Sequence, residues 1–243
     1  MAGTSKGAGR RGRTLILSCE HGGNRIPAEY RHLFRGADSV VASHRGWDPG
    51  ALDLARYLGR HFHVPVAKET LCRLLVEPNR APSNPRIWSK YSAGLAPVEK
   101  QRVLDRYWWP YRRKVEARVR EQVARGNSVY HVAVHSFVPV LGGERRNAEI
   151  CLLYDPARPG EKAMCLRWAA ILREMDPDVR VRRNYPYRGI ADGLPTWLRR
   201  RYPNGKYAGV ELEINQAVLT AKTRKRTWHL VAESLDALSV IPA

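Results

Sequence analysis

The stretch Thr14-Leu-Ile-Leu-Ser-Cys-Glu-His-Gly-Gly-Asn-Arg-Ile-Pro27 decides how this chain reads. Its apolar run, residues 14–19, predicts a strand buried on both faces, and Gly22-Gly23 predicts a turn directly after it. His21 is thereby placed at the carboxyl end of a strand. In open α/β sheets that edge binds ligands, because the loops leaving the strands diverge there and open a crevice. Glu20, Asn24 and Arg25 make the surroundings polar, which favours a functional histidine over a core one.

Working outward, further strands are predicted at 64–70, 128–134, 147–154, 179–183 and 206–215, with 71–76 continuing or pairing with the second. Helical patterns run over 51–62, 97–125, 160–175, 196–202 and 217–238. The long one should bend near Trp109-Pro110, where proline removes a backbone donor, and its tryptophans and tyrosines should pack on the sheet. Strands separated by helices predict an α/β fold: a mixed, largely parallel sheet flanked by helices on both faces.

The 243 residues suffice for a substantial core and contain no Ser/Gly/Pro-rich linker. Residues 1–13, with Lys6, Arg10, Arg11 and Arg13 among Gly, Ser and Ala, are expected to be a disordered basic tail, and residues 14–243 one domain. The longest apolar run falls short of the roughly 20 residues of a bilayer span, and the amino terminus lacks a secretory apolar core. A soluble, cytoplasmic protein with no membrane partner is expected. Forty-two Lys and Arg against 23 Asp and Glu give a net charge of +19, which attracts polyanions. No recognised nucleic-acid module interleaves those charges, so a nucleic-acid partner is not expected. Cys19, Cys72, Cys151 and Cys165 are scattered without a Cys-x-x-Cys pair and read as small buried hydrophobes in a reducing compartment.

The strand at 206–215 contains Gly-Val-Glu-Leu-Glu-Ile-Asn. Alternation sends Glu211 and Glu213 to one face and Val210, Leu212 and Ile214 to the other. Two carboxylates on one face of an interior strand must meet a cation, bind a metal or hold a proton, and either could serve as general base. His135 reaches the same sheet edge as His21. Asp48, before Pro49, has the form of a helix N-cap, and Asn79, Arg80 and Asn84 form a loop cluster suited to a small carboxylate. Two histidines, an aspartate and a spare carboxylate are the parts of a mononuclear zinc hydrolase, in which three protein ligands leave a fourth place for water.

Six blocks add a resemblance: Glu20-His-Gly-Gly-Asn-Arg-Ile-Pro27, Trp47-Asp-Pro-Gly-Ala51, Arg73-Leu-Leu-Val-Glu-Pro-Asn-Arg80, His135-Ser-Phe-Val-Pro139, Asn184-Tyr-Pro-Tyr187 and Glu211-Leu-Glu-Ile-Asn215. In this order they resemble the N-formylglutamate amidohydrolase family. The resemblance implies a zinc-carboxypeptidase-like fold and one Zn2+ per chain. It also implies hydrolysis of the formamide of N-formylglutamate, a step of histidine degradation. Metal ligands would be His21, His135 and Asp48; a carboxypeptidase-like pattern would instead use position 24, where Asn24 stands. Arg73, Asn79 and Arg80, with Ser136 and Tyr187 from the matching blocks, would bind the substrate, and Glu213 or Glu211 would be the base. The family's arginine and aspartate are replaced by Asn215 and Ala217, and Glu77-Pro78 stands where an aspartate and a small residue are usual. Alternatives are a carboxypeptidase-like or broad N-acyl amino acid hydrolase, or a non-catalytic polyanion-binding relative.

Overall fold

Arg13 opens the first strand, and Gly12 before it is tied to Asn127 through a backbone N–H. The structure, a computed structural model, describes residues 12–238, so the basic tail expected at 1–13 lies outside the described residues except for these last two. Along the chain come β1 (Arg13–Cys19), α1 (Asp38–Ala42), α2 (Ala51–His61), β2 (Val66–Lys68), α3 (Pro97–Val103), α4 (Trp109–Ala124) and β3 (Ser128–Phe137). A short hairpin of β4 (Val140–Leu141) and β5 (Glu144–Arg145) follows, then β6 (Ile150–Leu153), α5 (Pro159–Met175), β7 (Val181–Arg183), α6 (Leu194–Arg199), β8 (Tyr207–Asn215) and α7 (Arg224–Ala237).

Six strands form one sheet in the order β2-β1-β3-β8-β6-β7. Every neighbouring pair is parallel except β6 against β8, so the sheet is mixed and largely parallel. Helices α2, α5 and α7 cover one face and α4 and α6 the other. Alternation along β8 does what its sequence dictates: Val210, Leu212 and Ile214 enter the larger core cluster, and Glu211 and Glu213 turn to the other face. All four cysteines are buried and unbridged. Among the described residues no helix is long and apolar enough to cross a membrane.

Some expectations need correction. Residues 71–76 do not extend a strand; only Leu71 bridges, to Arg25, and Leu71, Leu75 and Val76 feed a separate cluster beneath the loops. Trp108 belongs to that cluster too, whereas Tyr111 packs on the sheet. The long helix is interrupted by a π-turn at Leu104–Trp108, which ends two residues before Pro110. After β8 comes a 3-10 turn at Gln216–Val218, and the last helix starts only at Arg224. Gly22 is required by close approach: a Cβ there would stand 2.8 Å from the carbonyl oxygen of Glu69, to which Gly22 N–H donates.

Candidate active site

β1 and β3 run parallel side by side, so His21 just beyond β1 and His135 near the end of β3 arrive at the same edge. Asp48 comes from the segment before α2. It does not cap that helix, whose N-cap is Gly50 at φ 81°. Its carboxylate turns inward instead. Asp48 Oδ2 lies 3.2 Å from His21 Nδ1 and 2.9 Å from His135 Nδ1, and the two Nδ1 atoms are 3.2 Å apart. All three residues are buried.

Each imidazole meets a second carboxylate at its other nitrogen. His21 Nε2 is 2.5 Å from Glu77 Oε1, and His135 Nε2 is 2.8 Å from Glu20 Oε2. Arg73 braces this arrangement, donating from Nε to Glu77 Oε2 at 2.7 Å and from a terminal nitrogen to Asp48 Oδ1 at 3.2 Å. Tyr111 donates to the other oxygen of Glu20 at 2.5 Å.

The electrostatics follow from opposite charges packed out of water. Burial disfavours an imidazolium, yet Asp48 and Glu20 raise the pKa of His135 well above its ordinary value. Burial likewise opposes ionisation of Glu20, yet His135 holds its pKa down at about 2. Asp48 and Glu77 are lowered too, against their burial, by His21 and Arg73. Glu213 differs. Burial raises its pKa to about 7, and its Oε2 is buried without a hydrogen-bond partner. On the sheet it is the register partner of His135. Glu211, by contrast, accepts a hydrogen bond from Asn79 Nδ2 at 2.9 Å.

Two imidazole nitrogens facing each other across 3.2 Å, both on one carboxylate oxygen, can share few protons but can share a cation. Ligand atoms on tetrahedral zinc, each at ~2.0–2.1 Å, stand roughly 3.3 Å apart, so these atoms fit such an ion. The carboxylates on the far ring nitrogens supply the orienting contacts that ligating histidines usually have. Asn24, three residues after His21, instead donates to the Val41 carbonyl. A second group of metal-competent side chains, His61, Glu233 and Asp236, lies between α2 and α7 and is more exposed.

The site opens into a cavity of about 420 Å³. Asn79, Arg80, Ser136, Tyr187, Glu211 and Glu213, all expected from the sequence, line it. Arg73 and Asn79 reach it with their polar groups already paired, Asn79 Oδ1 accepting from Leu194 N–H at 2.6 Å. Arg80 donates to the Asp192 carbonyl, and neither Arg80 nor Arg188 has a carboxylate partner among the described residues. The loop carrying Asn79 and Arg80 is held from below by buried Arg112, which donates to the carbonyls of Pro78 and Arg80 and lies between the rings of Trp108 and Trp197. Sequence reasoning missed Arg188 and the paired roles of Glu20 and Glu77. Glu20 and Glu77 sit inside the quoted blocks, but nothing in linear spacing couples them to the histidines.

Fold and site together define an enzyme built on a mixed α/β sheet, with its polar centre at the strand ends. The chain belongs to the N-formylglutamate amidohydrolase family, whose sequence profile matches residues 13–220, and its activity class is accordingly that of an amidohydrolase. Among solved structures, a gene product of Agrobacterium tumefaciens is 28% identical, with a TM-score of 0.77 over 93% of this chain and 92% of that one. An N-formylglutamate amidohydrolase from Ralstonia eutropha shares the fold at 19% identity and a TM-score of 0.65, covering 95% of this chain and 92% of its own. A metallo-carboxypeptidase from Burkholderia cenocepacia aligns weakly, at 11% identity and a TM-score of 0.37, over 98% of this chain and 59% of its own. No curated protein matches the sequence.

Proposed function

We propose that this chain is a zinc-dependent amidohydrolase that cleaves the N-formyl or other short N-acyl amide of glutamate or an amino acid of similar size. One observation carries the reading: two imidazole nitrogens converge on a single buried carboxylate oxygen at the strand ends. His21 Nδ1, His135 Nδ1 and Asp48 would hold the ion. When bound, zinc supplies a Lewis acid for the amide oxygen and lowers the pKa of a water.

The remaining work falls to the chain's own groups. Arg80 and Arg188 attract the substrate carboxylate into the cavity. Glu213, ionised and without a partner at Oε2, takes the proton from the attacking water as the new C–O bond forms. It then passes that proton to the amine nitrogen as the C–N bond breaks, giving the free acid and the amino acid. Arg73, Glu20 and Glu77 position the centre.

The test is release of the free amino acid, with formate from N-formyl-L-glutamate and the corresponding acid from related N-acyl amino acids, by the purified, zinc-loaded chain. Hydrolysis that disappears in His21→Ala and His135→Ala is expected. Absence of hydrolysis on every N-acyl substrate overturns the reading.

A further inference from the structure

The cavity lining mixes polar and apolar groups: beside the histidines and arginines, Val138, Leu141, Pro186 and Tyr187 add apolar surface, and Phe137 and Leu153 reach it from a buried cluster. That apolar surface continues outward. Of the seven exposed large hydrophobic residues among those described, four lie on the two segments that build it: Val140 (52% exposed), Leu141 (46%), Tyr187 (45%) and Ile190 (54%). The first pair is β4 of the hairpin, and the second flanks Arg188 in the loop after β7. Arg146 joins the segments, with its guanidinium 5.8 Å from the Phe137 ring centre and 5.1 Å from that of Tyr187, and a hydrogen bond to the Tyr187 hydroxyl at 3.1 Å.

An apolar patch concentrated at the mouth of a catalytic cavity, beside cations lacking carboxylate partners, is complementary to a ligand that carries an anion and a bulky apolar group. The two methylenes of a glutamate side chain would cover little of it. Resting on the amidohydrolase reading above, we infer that the preferred substrates are N-acyl amino acids with large aliphatic or aromatic side chains. Their carboxylate faces Arg80 or Arg188, and their side chain lies along Leu141 and Tyr187 at the cavity mouth.

The experiment compares kcat/KM for N-formyl-L-leucine, N-formyl-L-phenylalanine and N-formyl-L-glutamate, using the zinc-loaded full chain and its Leu141→Ser and Tyr187→Ser variants. Burying an added apolar side chain against such a surface predicts a preference for leucine and phenylalanine of at least about tenfold. Each variant should shrink that ratio about threefold or more. Glutamate hydrolysed as well as or better than the apolar substrates, or a ratio unchanged in both variants, overturns the inference while leaving the amidohydrolase reading intact. Failure on all three substrates overturns the inference, and failure on every other short N-acyl amide as well removes the amidohydrolase reading too.

Discussion

His135 and Glu213 are register partners on adjacent central strands, β3 and β8. The imidazole is drawn into a cage of carboxylates, while the neighbouring carboxylate is left with a buried, unpartnered oxygen. One strand pair therefore brings together a candidate ligand and a candidate base. The distinction between Glu213 and Glu211 follows from the same register, because only Glu211 is tied to Asn79.

Replacing Glu213 with Gln should lower kcat by on the order of 10²–10⁴ while leaving zinc affinity nearly unchanged, as expected for loss of a general base. Glu211→Gln should cost less than about tenfold in kcat. The reverse ranking in steady-state kinetics would transfer the role of base to Glu211.

The pH dependence of catalysis has a defined sign. Burial raises the pKa of Glu213 to about 7, and its carboxylate is the working form, so kcat/KM should rise with pH. A divalent cation beside it favours the ionised form and moves the rising limb below that value. The limb should vanish in Glu213→Gln; a profile that keeps it would assign the titration to another group.

Glu20 and Glu77 should matter for the metal without touching it. Each faces the outer nitrogen of one histidine, so Glu20→Gln and Glu77→Gln should each weaken zinc binding about 10–100-fold in competition with a chelating dye. Full affinity in both variants would reduce these carboxylates to fold stabilisers.

His131 supplies a stability prediction away from the centre. It hydrogen-bonds Ser18 and Tyr207, and burial depresses its pKa from 6.5 to about 4. As pH falls through 6.5 the unfolded chain takes up a proton that the folded chain refuses. Stability present above that pH is thus lost as pH falls toward about 4, by on the order of 3 kcal/mol. Denaturant titrations should show a shallower acid loss in His131→Gln; parallel curves would contradict it.

The sheet is largely legible in the sequence because buried strands leave continuous apolar runs, and alternation along β8 puts Glu211 and Glu213 on one face. His21 and His135 were found by their position after such runs. What local pattern could not give was tertiary. Residues 71–76 are apolar because they fill a cluster under the loops, and β6 could have joined β8 in either direction. Asp48 resembles a cap because Asp-Pro is common there, but Gly50 is the N-cap of α2, which leaves the carboxylate free to turn inward. Arg188 escaped notice in a loop with no periodicity, where only the folded chain shows it facing the cavity.

The most direct test of the central claim is an anomalous difference map from a crystal of this protein soaked in zinc. A peak is expected ~2.0–2.2 Å from His21 Nδ1, His135 Nδ1 and a carboxylate oxygen of Asp48. A map with no peak among those three atoms, or with zinc only at the exposed His61, Glu233 and Asp236 group, would contradict it.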